Sequence, residues 1–330
     1  MGKIIYMPGT GVPHHSFEEE FLAHKKCSEW WYCTGYFHTE EGKLFSFQYT
    51  LAKVKLLGLT FHMQLNALTD IEKQLHYYSQ KPYFFKKGIE TGPNLTFAQD
   101  KGSIKYSKNQ WSSFGKMELE LLGDEYKLNL DMSANKSPVW QCEDGLLKMG
   151  YTDNPKQITY YFSFTNIDIS GTLVLHGKTH QVKGKAWFDR QGGTYTLTDV
   201  KCNWEWFSLR FFDNEEAMLF SFPQTGYQDG TYIDQSGKYE RLNDYKLTHH
   251  TIIESAGYKW SNGWTLKLKG KKAGTYEIIP MAEGQLNLFF FELLARIIDE
   301  AGKEVGYCVV ELLPGARNPR TSPFGAFKRK

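Results

Sequence analysis

The chain has 330 residues, enough for two domains with cores of their own, and 16% of them are aromatic, with 9 Trp, 20 Tyr and 23 Phe beside 30 Gly. Such a composition suits strands and turns, and it points to a mostly antiparallel β protein. With 39 basic against 37 acidic residues the net charge is +2, which leaves no electrostatic footprint for nucleic acid.

In chain order, residues 1–26 read as a leader, with turn signals at Pro8-Gly9 and Gly11-Val12-Pro13 and a short helix or extended run over Phe17 to Lys26. The opening residues hold no apolar run of signal-peptide length, and no later stretch reaches the roughly 18 apolar residues of a membrane span. Ser28-Glu29-Trp30-Trp31-Tyr32 begins a strand in which Glu29 and Trp31 face one way and Trp30 and Tyr32 the other. A turn at Glu40-Glu41-Gly42 and a return strand over Leu44 to Thr50 complete a hairpin. Lys55 to Leu68 follows, with Thr60, His62, Gln64 and Asn66 on one face; such a face either meets water or lines a cavity that takes something polar. Asp70 to Gln80 reads as a short helix and 80–115 as irregular. A hairpin turning at Gly123-Asp124, strands over Thr159 to Asn166 and Gly171 to His176, and the stretch Gly184 to Gly193 close the first half. Strands at Thr248, Trp264, Thr275, Leu286, Arg296 and Gly306 fill the second half, and the tail from Pro314 to Lys330 reads as mobile.

An internal repeat emerges at an offset of 175 residues: Cys27 maps onto Cys202, Trp31 onto Trp206, Tyr32 onto Phe207, and Leu44-Phe45-Ser46-Phe47 onto Leu219-Phe220-Ser221-Phe222. Two similar β-domains follow, 1–195 and 196–330. Glu29 maps onto Trp204, so its carboxylate lies outside the shared scaffold. The five cysteines, Cys27, Cys33, Cys142, Cys202 and Cys308, form neither a disulfide framework nor a zinc pattern; reduced thiols in a cytoplasm are the simplest account. The pairs His14-His15 and His249-His250, and His176 with His180, lack the geometry or the third ligand a metal needs. No phosphate loop or nucleophile elbow is present.

Glu29-Trp30-Trp31-Tyr32-x-x-Gly35, Phe45-x-Phe47-Gln48, Ala67-Leu68-Thr69-Asp70, Tyr160-Tyr161-x-Ser163, Gly184-x-Ala186-Trp187-x-Asp189-Arg190-x-x-Gly193, Trp204-x-Trp206 and Gly306-Tyr307 together resemble the lipocalin-like AttH and carotenoid 1,2-hydratase superfamily. The resemblance runs from about residue 14 to 312. It implies two lipocalin-like β-barrel or sandwich domains packed together, with few short helices and an apolar pocket at or near their junction. It also implies several activities: hydration of a terminal isoprenoid double bond, or intramolecular [4+2] cycloaddition of polyene chains in fungal relatives. The hydratase branch carries a His-x-Trp element where this chain has Tyr160-Tyr161-Phe162.

Glu29 reads in two ways. Beside indoles its pKa would rise by desolvation and make it a proton donor; alternatively it is a buried carboxylate paired with Arg190 or a tyrosine. Asp189 is a second acid, or part of a structural turn beside Gly192-Gly193. Taken together, Glu29, Asn66 and Asp189 are the candidate catalytic groups. Trp30, Trp31, Tyr32, Gln48, His62, Gln64, Tyr160, Tyr161, Trp187, Trp204 and Trp206 are the candidate substrate contacts. The expected function is a cofactor-independent cyclase of an apolar polyene, polyketide or isoprenoid intermediate, with a carrier of an apolar ligand second and an isoprenoid hydratase third. No metal, nucleic acid or membrane partner is expected.

Overall fold

The computed structural model describes residues 17–21, 23–24, 27–56, 59–83, 89–91, 94–99, 102–107, 116–150, 154, 157–194, 203–255, 258–283, 286–287 and 290–313. His14-His15, Cys202, the turn signals before residue 17 and the tail from Pro314 lie outside the described residues. The chain divides into two compact units, one of Met1–Leu147 with Asn154–Thr196, the other of Lys148–Asp153 with Leu197–Lys330. The fold is all-β and antiparallel, and no described helix is long and apolar enough to cross a membrane.

In the first unit a helical turn, α1 (Phe17–Phe21), precedes β1 (Ser28–Thr39), β2 (Leu44–Leu56), β3 (Leu59–Asp70), β4 (Leu75–Tyr83), β5 (Ile89–Thr91), β6 (Asn94–Gln99), β7 (Gly102–Ser107), β8 (Lys116–Leu122), β9 (Tyr126–Ala134), β10 (Val139–Trp140), β11 (Leu146–Lys148), β12 (Ile158–Leu175) and β13 (Lys178–Gly193). They form one sheet in the order β4-β3-β2-β1-β13-β12-β9-β8-β7-β6-β5, with β10 and β11 added on β12. The sheet curls on itself: Tyr126 on β9 donates to Asn66 Oδ1 on β3 at 3.2 Å, although four strands separate the two in the sheet. Trp31, Cys33, Phe37, Phe45, Phe47, Leu51, Leu128, Phe162 and Phe188 share the core inside the curl. Strands replace the short helix expected over Asp70 to Gln80 and part of the irregular stretch at 80–115. Ile71–Gln74 is a turn, with Gln74 in the left-handed region, and β4 runs back along β3.

The second unit holds β14 (Trp204–Phe211), β15 (Glu216–Phe222), β16 (Tyr227–Ile233), β17 (Tyr239–Arg241), β18 (Tyr245–His249), β19 (Ile252–Ser255), β20 (Tyr258–Ser261), β21 (Trp264–Leu268), β22 (Gly274–Pro280), β23 (Leu286–Asn287), β24 (Phe290–Asp299) and β25 (Glu304–Leu313). Its main sheet runs β17-β16-β15-β14-β25-β24-β22-β21-β18, and β19 pairs with β20 alone. Tyr245 at one end of the sheet donates to the Phe220 carbonyl at 2.9 Å, so this sheet also curls around its core. That core contains Phe207, Leu209, Phe211, Leu219, Trp264 and Ile278.

Two β units are present, but the 175-residue offset does not align their opening hairpins. Phe37 pairs with Phe45, so the first hairpin is centred on Glu41; Arg210 pairs with Glu216, so the second is centred on Asp213, 172 residues on. An odd difference between the two offsets exchanges the faces of a strand. Trp31 accordingly points into its core, whereas Trp206 points away from the cluster of Phe207, Leu209 and Phe211. Trp31 and Trp206 are not equivalent, and Glu29 does not correspond to Trp204.

Candidate functional site

Strand alternation sorts the sequence-predicted residues of the first unit onto two faces. On the core side of the sheet lie Glu29, Trp31, Asn66, Gln64, His62 and Tyr160, and on the opposite side lie Trp30, Tyr32, Gln48, Tyr161, Trp187 and Asp189. The three candidate catalytic groups are therefore divided: Glu29 and Asn66 share one face and Asp189 has the other. Trp204 and Trp206 belong to the second unit, where Trp204 Nε1 donates to Glu311 Oε1 at 2.7 Å.

Glu29 is fully buried and fully engaged. Its carboxylate accepts from Arg190 Nη2 and Lys53 Nζ, and from the His24 backbone N–H at 2.9 Å, while His24 Nδ1 lies 3.0 Å away. Arg190 in turn spans the Trp31 ring at 4.1 Å and donates to the Phe21 carbonyl. Burial by itself pushes the Glu29 carboxyl up, but Arg190, the His24 hydrogen bond and Lys53 outweigh it and bring it down to about 2. The expectation of a proton donor fails here, and the paired-carboxylate reading describes the residue. The cause is non-local: the cations come from β2 and β13, where the indole-rich motif alone could not show them. Gly192 stands opposite Glu29 in the register; a Cβ there would meet the Glu29 Cβ at 2.5 Å, so the absent side chain is what lets the acid and Arg190 meet.

Asn66, Gln64 and Tyr49 form a second polar group within the core side. Gln64 Nε2 donates to Tyr49 Oη at 3.2 Å, and Asn66 accepts from Tyr126. The polar face read from the alternation of His62, Gln64 and Asn66 thus turns inward, where its amides are met by tyrosines; Thr60 at its end is exposed. Tyr160 is half-buried at the end of β12, and burial raises its phenol pKa.

His24, Cys27 and Glu29 place one ligand atom each within 4.8 Å of one another, as do Glu40, Glu41 and His180. In the first group the carboxylate charge is already taken up by Arg190 and Lys53, and burial pushes the Cys27 thiol up to about 12. In the second, Glu41 is bridged by Lys178 at 2.8 Å. Cys27, Cys33, Cys142 and Cys308 are buried free thiols.

The opposite face carries a polar row of its own. Across four strands one register row reads Thr50, Tyr32, Asp189 and Ser163, all buried. Asp189 accepts from Ser163 Oγ and from Trp187 Nε1 at 2.6 Å. Arg190, its sequence neighbour, points to the other face and leaves Asp189 without that cation. Gln48 donates to Thr50, while its carbonyl oxygen has no partner among the described residues. Tyr161 and Gln191 flank the row, and Gln191 donates to Thr159 at 2.7 Å. A carboxylate, a phenol and an amide oxygen beside Trp187 and Tyr161 can orient a polar group on an otherwise apolar molecule. Sequence reasoning missed Lys53, His24 and Ser163. Ser163 stood inside the Tyr160-Tyr161-x-Ser163 motif, and register with Asp189 was the signal that could have singled it out.

Comparison with known proteins agrees with this architecture. A candidate AttH from Nitrosomonas europaea superposes with a TM-score of 0.81 at 20% identity, covering 93% of this chain and 99% of the other. Kievitone hydratase from Nectria haematococca does so with a TM-score of 0.72 at 17% identity, covering 94% and 96%. The structure of CghA with Sch210972 gives 0.57 at 8% identity, again over 94% and 96%. At these identities the likeness is one of fold. No curated protein matches the sequence. The AttH-like family model matches residues 10–313, and the chain belongs to the AttH-like family.

Proposed function

We propose that the protein is a cofactor-independent cyclase that binds an apolar polyene, polyketide or isoprenoid-like intermediate on the Tyr32–Asp189 face of the first unit and guides an intramolecular [4+2] closure or a related cyclisation. The observation that carries this reading is the buried Asp189 carboxylate, held by Ser163 and Trp187 among aromatic side chains and facing away from the salt-bridged Arg190. A concerted closure moves no proton: two π bonds are consumed, two σ bonds form and one π bond shifts. Its barrier lies largely in ordering a flexible chain, which rigid aromatic walls and one or two polar anchors can supply. Glu29, ionised and locked in ion pairs, acts in this reading as a support for β1 and β13, and Asn66 as part of the core.

Hydration of an alkene is the second reading. It is favoured by the same carboxylate with the Tyr32 phenol beside it, a carboxyl and a phenol being a workable acid pair. One experiment separates the readings. The full chain is incubated with linear polyenes bearing an activated alkene, and with prenylated phenols, and products are followed by absorbance and mass spectrometry. Cyclisation keeps the mass and shortens the chromophore, hydration adds one water, and a carrier returns its ligand unchanged. Asp189→Asn should lower turnover at least tenfold in either enzyme reading; unchanged turnover would remove Asp189, and no product from any substrate would leave the carrier.

A further inference from the structure

Tyr77 lies on β4, an end strand of the first sheet, opposite Leu68 and on the core side. The curl brings it to the turn between β12 and β13, 99 residues on, where Tyr77 Oη stands 3.1 Å from His176 Nε2. His176 opens that turn at φ of 48° with Gly177 at 79°, so the two take the left-handed positions of a tight hairpin. The neighbouring turn, between β8 and β9, supplies a third group. Glu125 accepts the His176 backbone N–H on its carbonyl at 3.2 Å and sets its carboxylate 3.4 Å from His176 Nδ1. The imidazole thus has a carboxylate at one nitrogen and a phenol at the other. That favours the tautomer with its proton on Nδ1 and leaves Nε2 to accept from Tyr77. Burial, then Glu125 and Asp70, hold the Tyr77 phenol above its ordinary range, so it is a hydroxyl that needs a base. The His176 and Glu125 side chains are 51% and 56% exposed, so small solutes reach the group from water.

We propose that Tyr77 is an acyl-accepting nucleophile with His176 as its base and Glu125 as the residue that positions that base, and that it takes small acyl groups from aryl esters or thioesters. A hydroxyl, an imidazole and a carboxylate in this order form the constellation of acyl transfer, which is recognised by geometry and not by fold. Tyr77 Oη attacks the acyl carbon as its proton passes to His176 Nε2. The new C–O bond forms, and the bond to the leaving group breaks with its electron pair going to the phenolate or thiolate. The imidazolium returns its proton to that anion or to water. A water molecule then attacks the acyl-tyrosine, again losing a proton to His176, and the acyl group leaves as a carboxylate while the phenol is restored. No electrons are exchanged with an outside donor or acceptor. The donor class follows from leaving-group strength: a phenol gains an acyl group downhill only from a leaving group more acidic than itself, which a nitrophenol or a thiol is and an alkyl alcohol is not. The group sits on the core side of the sheet and Asp189 on the opposite side, so the assignment stands apart from the proposed cyclisation.

The test uses the full chain and para-nitrophenyl acetate. Nitrophenolate release is followed by absorbance, and acetylated residues are located by peptide mass spectrometry. Tyr77 should gain an acetyl group at least tenfold faster than Tyr239, an exposed tyrosine of the second unit that serves as a reference within the same molecule. Tyr77→Phe should lose the fast phase of nitrophenolate release. His176→Asn, whose new side chain suits a left-handed turn position, should slow Tyr77 acetylation at least tenfold and leave the Tyr239 rate as it was. Glu125→Gln should lower the Tyr77 rate at saturating ester and keep the half-saturating concentration, a split that loss of local structure would not give. Acetylation of Tyr77 no faster than that of Tyr239 would overturn the assignment. So would undiminished Tyr77 acetylation in His176→Asn, or an acetyl group found on His176 or a lysine in place of Tyr77. A change in half-saturating concentration alone in Glu125→Gln would overturn the part given to Glu125.

Discussion

Arg190 reaches diagonally across the β1–β13 pair to Glu29. In the register Arg190 stands opposite Trp31 and Glu29 opposite Gly192, so the guanidinium crosses the Trp31 ring and bonds the carboxylate two residues along. With Lys53 on the far oxygen, two cations and one anion are sealed from water, and His24 supplies a further hydrogen bond. A buried group of this kind is stabilising only while it is complete. Glu29→Gln should therefore destabilise the first unit by about 3–5 kcal/mol, because Arg190 and Lys53 are left buried without their counter-ion. Urea unfolding checks this, and a loss under about 1 kcal/mol would show that the cations find other partners.

The same ion pairs set an acid limit. The Glu29 carboxyl lies at about 2 in the folded protein against an ordinary value of 4.5. A depressed carboxyl stabilises the fold at pH above its unfolded value and loses that contribution as pH falls through its folded one. Stability should thus decline between about pH 4.5 and pH 2, and the decline should be shallower in Glu29→Gln, measured by unfolding midpoints over that range. Parallel curves for the two proteins would mean that other carboxylates carry the acid sensitivity.

Gly192→Ala tests the space behind the pair. The added methyl would lie 2.5 Å from the Glu29 Cβ and 3.3 Å from Arg190 Nη1. Both neighbours are buried and tied, so overpacking should cost about 1–3 kcal/mol. An unchanged melting temperature would show that β1 and β13 can separate locally without harm.

Elements that depend on neighbours in sequence were legible in it; those that depend on the curl of the sheet were not. The β1–β2 hairpin follows from its alternation and its Gly42 turn, and so does the shared face of Glu29 and Trp31. The partners of Glu29 sit 24 and 161 residues away, and their sign reversed the direction expected from the neighbouring indoles. Asn66 meets Tyr126 across 60 residues, so its polar strand face could be placed inside or outside only once the sheet was seen to curl. The repeat misled because an identical tetrapeptide and an identical Trp agreed in spacing while the second hairpin turns three residues earlier relative to them, and parity decides which face a strand residue takes. Asp189 and Arg190 were read as one unit, yet adjacent strand residues diverge, and that divergence turns Asp189 to the opposite face.

Trp31 also fixes the segment that precedes the sheet. The Phe21 carbonyl accepts from Trp31 Nε1 at 2.9 Å and from Arg190 Nε at 3.2 Å, and the Phe21 ring stacks on Phe188 with centroids 5.4 Å apart. The His24 N–H is held by Glu29, so α1 and its exit are tied to the sheet by the same charged group that joins β1 to β13. Trp31→Phe keeps an aromatic face for Arg190 but removes the indole N–H. It should cost about 1–2 kcal/mol overall, the scale of one buried hydrogen bond with some loss of cation–π attraction. The loss should be concentrated at the segment: the His24 amide should exchange with deuterium faster, and protease should cut before Ser28 sooner, while amides of β14 and β15 in the second unit keep their wild-type exchange. Equal acceleration in both units would instead mark a global loss of stability and refute a local tether.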